Sequence, residues 1–198
     1  MNWSYRAVSS YAYLGAHNLY DEEDGRKIIY TTEFVEHPEY DVESIANDVA
    51  LVHLPKNSLT SYTTHIKPGC LPARGFEDIS LGDITLNAVG WGKTNNGANI
   101  SPVLNQLPVT LITNEDCRKS YGDIIRETNL CAQVRRFFIY FFLLSDRAFL
   151  TQGLEGTGTC QGDSGSSLQY LSENGPWIQY GVVSFGASTG CGTGGWCL

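Results

Sequence analysis

Apolar positions along this chain come in short runs of β-branched and aromatic residues, each closed by Gly, Pro, Asn or Asp. The clearest are Lys27-Ile28-Ile29-Tyr30-Thr31, the run from Asp48 to Leu54 (DVALVHL), Leu86-Asn87-Ala88-Val89-Gly90-Trp91, and Trp177 to Phe185 (WIQYGVVSF). Runs of this length and composition suit a pleated, half-buried surface and predict strands. One short helix is predicted after Thr113, because Thr113 and Asp116 match a capping box and Gly122 follows as a stop. No other segment carries a helical period of any length. Loops such as Lys93-Thr94-Asn95-Asn96-Gly97 and Ala187-Ser188-Thr189-Gly190 separate the runs, with no repeat and no change in composition that marks a linker. The pattern predicts one all-β domain, built as a closed or semi-closed pair of barrels.

One segment breaks the pattern. Arg135-Arg136 is followed by eight uninterrupted apolar residues, Phe137 to Leu144. That is far short of the roughly 20 needed to span a bilayer. Its position excludes a signal peptide. Read as a buried strand, it needs a partner sheet.

Composition agrees with a globular β protein: 198 residues, 42% hydrophobic and 17% charged, with 21 Gly, 11 Tyr, 4 Trp and a single Met. Charge narrows the partners. Thirteen basic residues against 21 acidic ones leave a net of -8, which removes the usual electrostatic reason to bind nucleic acid or an anionic membrane. Six cysteines without a Cys-x-x-Cys pair read as the disulfides of a secreted protein, although six cysteines allow 15 full pairings and spacing does not choose among them. No metal-ligand spacing is present and no cofactor is expected. The start, Met1-Asn2-Trp3-Ser4-Tyr5-Arg6, lacks the apolar core of a signal peptide, which conflicts with secretion and leads us to expect a front end beyond Met1.

The chemistry concentrates in Thr159-Cys160-Gln161-Gly162-Asp163-Ser164-Gly165. A nucleophilic serine needs a tight, glycine-rich turn that exposes its hydroxyl and aims backbone N–H groups at a developing oxyanion. A Gly-x-Ser-x-Gly elbow is ruled out because Ser166 stands where its last glycine would be. Taken alone, Gly-Asp-Ser-Gly reads equally as an ordinary loop. Three further motifs change that: Asn47-Asp48-Val49-Ala50-Leu51-Val52, Gly90-Trp91-Gly92, and Val182-Val183-Ser184-Phe185-Gly186. In this order and spacing, over most of the chain from about Leu14 to Cys191, they resemble the chymotrypsin-like serine proteases. Leu14-Gly15-Ala16-His17-Asn18 and Gly158 are closest in flavour to the brachyurin-type digestive proteases of arthropods.

The resemblance implies a trypsin-like fold of two six-stranded antiparallel barrels and a Ser-His-Asp acyl-enzyme mechanism. Asp48 would orient the general base, Ser164 would attack the scissile carbonyl, and the N–H groups of Gly162 and Ser164 would form the oxyanion hole. Asp163 would receive the new N-terminal ammonium after zymogen cleavage. Gly158, Thr159, Ser184 and Gly186 would line the substrate pocket. Gly158 at its base offers no carboxylate to Lys or Arg, which implies a neutral, non-trypsin-like preference. Cys117–Cys131 and Cys160–Cys191 would be disulfides, leaving Cys70 and Cys197 without evident partners. The partners implied are protein or peptide substrates and protein protease inhibitors, for a secreted, extracellular monomer.

Departures from the family pattern are equally specific. The general-base histidine belongs in an Ala-Ala-His-Cys segment upstream of Leu14, and none is present; His17, His37, His53 and His65 match non-catalytic positions. In a related triad, loss of the histidine costs about 10^6 in turnover, or roughly 8 kcal/mol of barrier. Without a mature N-terminus, Asp163 also lacks its ammonium, so a poorly formed oxyanion hole and an inert chain are expected. Gly165-Ser166-Ser167 replaces the usual Gly-Gly-Pro, placing a Cβ where the family carries glycine. The sequence after Cys191 stops short of the family's pocket-closing strand and C-terminal helix.

The apolar segment gains an explanation from the same comparison. Between Cys131 and Cys160 lie 28 residues where the family has a short loop, and removing the 19 residues from Val134 to Gln152 leaves nine. Valine codons begin GT, glutamine can be CAG, and T-rich codons give phenylalanine. Residues 134–152 are therefore expected to be a translated intron, within a partial peptidase domain spanning 1–198. Two function classes follow: a serine endopeptidase, or a non-catalytic homologue acting as a binding or regulatory module. A purely structural β protein does not account for four ordered motifs.

Overall fold

Alternation of apolar and polar side chains sets the strands, and the described strands pair with one another antiparallel. A computed structural model describes residues 7–72, 85–134, 158–172, 175–186, 191 and 196–197. The chain divides into two compact units, Met1–Gly69 and Cys70–Leu198, and each is described by itself.

The first unit holds two hairpin-like pairs. β1 (Ser10–Leu14) pairs with β2 (Lys27–Thr31), placing Tyr11 opposite Tyr30 and Tyr13 opposite Ile28. Those four side chains are exposed, whereas Ile29 and Thr31 of β2 point to the buried side with Ile66. β3 (Glu33–Glu36) pairs with β4 (Ala50–His53), Phe34 facing Val52 and Val35 facing Leu51. The Thr31 hydroxyl donates to the His53 carbonyl at 2.6 Å and ties the two pairs together. β4 starts two residues later than the apolar run predicts. Asn47 adopts φ 57°, and Val49 N–H turns back onto the Asn47 carbonyl at 2.8 Å, so Asp48 lies in a turn ahead of the strand.

The second unit is one seven-stranded sheet. Its members are β5 (Leu86–Gly90), β6 (Asn105–Ile112), β7 (Cys131–Val134), β8 (Ser167–Leu171), β9 (Trp177–Val182), β10 (Phe185–Gly186) and β11 (Trp196–Cys197), ordered β10-β11-β7-β6-β5-β8-β9. Leu86, Ala88, Val109, Leu111, Ala132 and Leu168 project from β5, β6, β7 and β8 into one core. The predicted helix is α1 (Asn114–Tyr121): the Thr113 hydroxyl accepts from Asp116 N–H at 3.0 Å, and Gly122 ends it with φ 66°. Asp116 also binds Lys119, which together with the Thr113 hydroxyl holds its carboxyl below the ordinary value. Cys117 of α1 is disulfide-bonded to Cys131 of β7 inside a second small cluster with Ile125. Cys160 is bonded to Cys191. Cys70 is exposed and, among the described residues, has no disulfide partner; its backbone pairs with β9 through Trp177 and Gln179.

The architecture is all-β with one short helix, as expected, while closure is incomplete. Among the described residues the first unit has two separate two-stranded sheets, and the seven strands of the second follow an open order. No helix among the described residues is long and apolar enough to cross a membrane. Val134, placed by the sequence reading at the start of the insertion, is the last residue of β7 and pairs with Val109. Residues 135–152 lie outside the described residues, as do 187–190 and 192–195.

Candidate active site

The turn that carries Ser164 is built by hydrogen bonds between residues distant in sequence. Gly162 takes φ +97°, open to glycine alone at low cost, and a Cβ there would meet Gly92 Cα at 3.3 Å and Ile100 at 3.1 Å. Asp163 N–H closes the turn on the Cys160 carbonyl at 3.0 Å, and Ser166 N–H follows onto the Asp163 carbonyl at 2.9 Å. Gly165 takes φ +82°, and its N–H donates to the Val183 carbonyl at 2.8 Å while Val183 N–H returns to Ser166 at 2.8 Å. Ser164 is left exposed at the tip. The N–H groups of Gly162 and Ser164 donate to no group among the described residues.

Ser166 fits this turn. It has no positive φ, and its hydroxyl donates to the Asp163 carbonyl, so the Cβ that the family pattern lacks is accommodated and its oxygen used.

Asp163 anchors the turn from below. Its side chain is buried, one oxygen accepting from Gly92 N–H and the other from Cys160 N–H, each at 2.8 Å. Two charge-assisted bonds of this kind satisfy a carboxylate that burial alone would strongly penalise. Main-chain donors thus hold the Asp163 carboxylate in the turn. The arrangement also explains Gly90-Trp91-Gly92: a Cβ on Gly90 or on Gly92 would lie closer than 3.0 Å to the Asp163 carboxylate. Sequence reasoning used this motif only as a marker. The signal available was the pair of glycines flanking one aromatic residue, which asks what approaches so closely.

A cavity of about 180 Å³ opens beside the carboxylate, bordered by Gly90, Gly92, Leu107, Gly158, Thr159 and Asp163. Thr159 is buried, and among the described residues its hydroxyl has no hydrogen-bond partner. Of the four expected pocket residues, Gly158 and Thr159 border this cavity and Ser184 and Gly186 do not. The bonds through Gly165 and Val183 nonetheless put the Ser184–Gly186 segment next to the Ser164 turn. Lys93, missed by the sequence reading, also reaches this turn: its N–H donates to the Gln161 carbonyl at 3.0 Å and its ammonium to the Gln161 side chain at 2.9 Å.

Asp48 belongs to the first unit, where it is exposed. The loop before it contains two non-glycine residues in the left-handed region, Ile45 at φ 54° and Asn47 at φ 57°, and Asn47 is pinned by its side-chain amide on the Glu39 carbonyl at 2.8 Å. Ring nitrogens of three histidines are engaged locally. His53 Nδ1 meets Glu33 at 2.5 Å, His37 Nδ1 accepts Glu39 N–H at 3.1 Å, and His65 Nδ1 meets the Thr64 hydroxyl at 3.1 Å. His17 is exposed and its N–H donates to Glu23 at 2.7 Å. No group of three metal-ligating side chains occurs among the described residues.

Comparison with known proteins sets these features in context. The Trypsin family profile matches residues 4–138, ending inside the apolar segment. Brachyurin from Leptuca pugilator is 34% identical over 182 residues, covering 91% of this chain and 67% of that protein. Phenoloxidase-activating factor 1 from Holotrichia diomphalia is 32% identical over 169 residues (83% of this chain, 39% of that protein), and trypsin-1 from Astacus astacus 31% over 165 (83% and 59%). The chain therefore spans between about two fifths and two thirds of the length of these relatives. Its two disulfides suit an oxidising, extracellular setting. On this similarity the chain belongs to the trypsin family of chymotrypsin-like serine proteases, and it is similar to arthropod members of it.

Proposed function

We propose that this chain carries the nucleophile half of a serine endopeptidase acting on protein or peptide substrates. The observation that carries the reading is the Ser164 turn, where Ser164 is exposed, the N–H groups of Gly162 and Ser164 donate to no group among the described residues, and the buried Asp163 carboxylate holds the turn through Gly92 and Cys160. In the reaction, Ser164 Oγ bonds to the scissile carbonyl carbon as its proton passes to a histidine base oriented by Asp48. The carbonyl oxygen takes the negative charge between the N–H groups of Gly162 and Ser164. Collapse of that adduct expels the amine, which receives the proton from the histidine, and water then releases the acyl group by the same steps.

Gly158 supports a neutral pocket that prefers aromatic or aliphatic side chains over Lys or Arg, with Thr159, Ser184 and Gly186 alongside. Asp163 and the cavity beside it provide a place for an ammonium group delivered by activation. Residues 1–198 supply no general base: the family's Ala-Ala-His-Cys segment is absent from them, and His17, His37, His53 and His65 match non-catalytic positions. By themselves residues 1–198 are inert. We read residues 134–152 as an insertion foreign to a partial peptidase domain, supported by the family match stopping at residue 138. The junction would then place Gly153 after Gln133 as β7 ends.

A second reading, a non-catalytic homologue with a binding or regulatory role, is favoured by the absent histidine and by similarity to a protein named phenoloxidase-activating factor 1. Sequencing the transcript separates the two. An upstream in-frame Ala-Ala-His-Cys segment and splicing that removes the codons for Phe137 to Leu144 support the endopeptidase; the protein encoded should then cleave peptides after aromatic or aliphatic residues. A substituted histidine in that segment supports the homologue. Abundant message retaining those codons refutes the insertion. Sedimentation of the secreted product should give a monomer, and protein protease inhibitors should bind it.

A further inference from the structure

Four consecutive acids, Asp21 to Asp24, lie in the loop that joins β1 to β2. If that run were only a solvated turn, its main-chain carbonyls would face water. Instead two of them converge on one positive charge: Arg26 Nη1 donates to the Asp21 carbonyl at 2.6 Å and to the Asn18 carbonyl at 3.3 Å. The Tyr13 ring covers the same guanidinium, its centroid 5.7 Å from Cζ. On the other side of the loop the Glu23 carboxylate accepts His17 N–H at 2.7 Å and Asn18 N–H at 2.9 Å. Asn18 completes the set, its amide donating to Asp21 at 2.6 Å and accepting Tyr20 N–H at 3.0 Å.

Each contact has a recognisable role. Carbonyl and carboxylate oxygens gathered in a short acidic loop are the donor set that a hard divalent cation seeks. A guanidinium is a permanent cation with a planar fork of donors, less strongly hydrated than an ammonium, and it stacks on aromatic rings. We propose that Arg26 is the resident cation of this loop: its guanidinium, held under Tyr13, gathers the Asn18 and Asp21 carbonyls and offsets the charge of Asp21 to Asp24, so the β1–β2 connection is fixed without a metal ion. The loop is thereby locked by an element of its own strand pair rather than by a ligand whose supply varies.

The test uses the full chain and two variants, Arg26→Ala and Arg26→Lys, with a glutamate-specific protease reporting cleavage after Glu22 or Glu23. In the unsubstituted chain, cleavage should not respond to millimolar Ca2+ or to EDTA, and Tb3+ should give no luminescence sensitised by tyrosine. In Arg26→Ala, cleavage should rise about tenfold or more, the scale expected when charge-assisted hydrogen bonds that close a loop are lost. Added Ca2+ should reverse much of that rise, and Tb3+ luminescence should appear. Arg26→Lys should fall between the two. Unchanged cleavage in Arg26→Ala overturns the proposal, and so does a rise that Ca2+ leaves untouched, because the side chain then acts by packing alone. Ca2+ protection or Tb3+ luminescence in the unsubstituted chain overturns it even if neither variant folds.

Discussion

The two units use similar strand sequences to very different effect. In β4 of the first unit, Leu51 is 68% exposed and Val52 53% exposed. In β5 of the second, Leu86 is 0% exposed, and the pattern alternates with the strand. The difference lies in how many layers and neighbours each strand has. Among the described residues β4 pairs only with β3, and a two-stranded ribbon has too little area to enclose a side chain. β5 has a neighbour on each edge and shares one core with β6, β7 and β8. The lesson is functional as well. Ser164, Gly162 and Asp163, the proposed nucleophile turn, lie in the unit whose described strands share a core cluster, and Asp48, proposed to orient the base, lies in the first unit.

The largest effect that can break this contrast is a cavity. Leu86→Ala should cost about 2–5 kcal/mol in urea unfolding followed by tryptophan fluorescence. Leu51→Ala should stay within about 0.5 kcal/mol, as for other exposed sites. Equal losses at both positions would dissolve the comparison. Next in size is the Cys117–Cys131 disulfide, which closes a sequence separation of 14 residues; replacing both cysteines by serine should cost on the order of 3 kcal/mol in the same assay. A loss much below this would mean that the second cluster around Ile125 stands on packing alone.

Gly92→Ala sharpens the claim that the second unit holds the nucleophile turn from beneath. A Cβ there collides with Asp163, and losing the bond to Gly92 N–H as the carboxylate moves should cost about 1–3 kcal/mol. Hydrogen exchange at Cys160, Asp163 and Ser166, whose N–H groups are bonded within the turn, should accelerate while β6 and β7 stay protected. The smallest effect belongs to the first unit. N–H bonds from His17 and then Asn18 hold the Glu23 carboxyl below its ordinary value of 4.5. A lowered folded-state pKa contributes stability that is complete above 4.5 and disappears as pH falls through the lowered value. The midpoint of thermal unfolding should therefore drop on acidification below about pH 4.5, and Glu23→Gln should flatten part of that drop.

How much of this could be read from the chain differs by element, for physical reasons. β2, β5 and α1 were legible because their signals are local: period-two alternation, bounding glycines, and the Thr113 to Asp116 cap. β6 was not, because Pro108 argues against an interior strand, yet here it sits opposite Asn87 within the sheet. The apolar run from Asp48 predicted one buried face on β4, but burial depends on partners that alternation does not name. At the site, Ser164, Gly162 and Asp163 were visible as a motif. The bond from Gly92 to Asp163 spans 71 residues, and the engagement of Lys93 with Gln161 spans 68, so neither has a local trace.

The central claim is a formed nucleophile turn without a base to activate it, and fluorophosphonate labelling of the folded chain tests it most directly. Ser164 should label no faster than the background of a Ser164→Ala variant, while hydrogen exchange shows the turn ordered. Rapid, stoichiometric labelling that maps to Ser164 in residues 1–198 alone would contradict it.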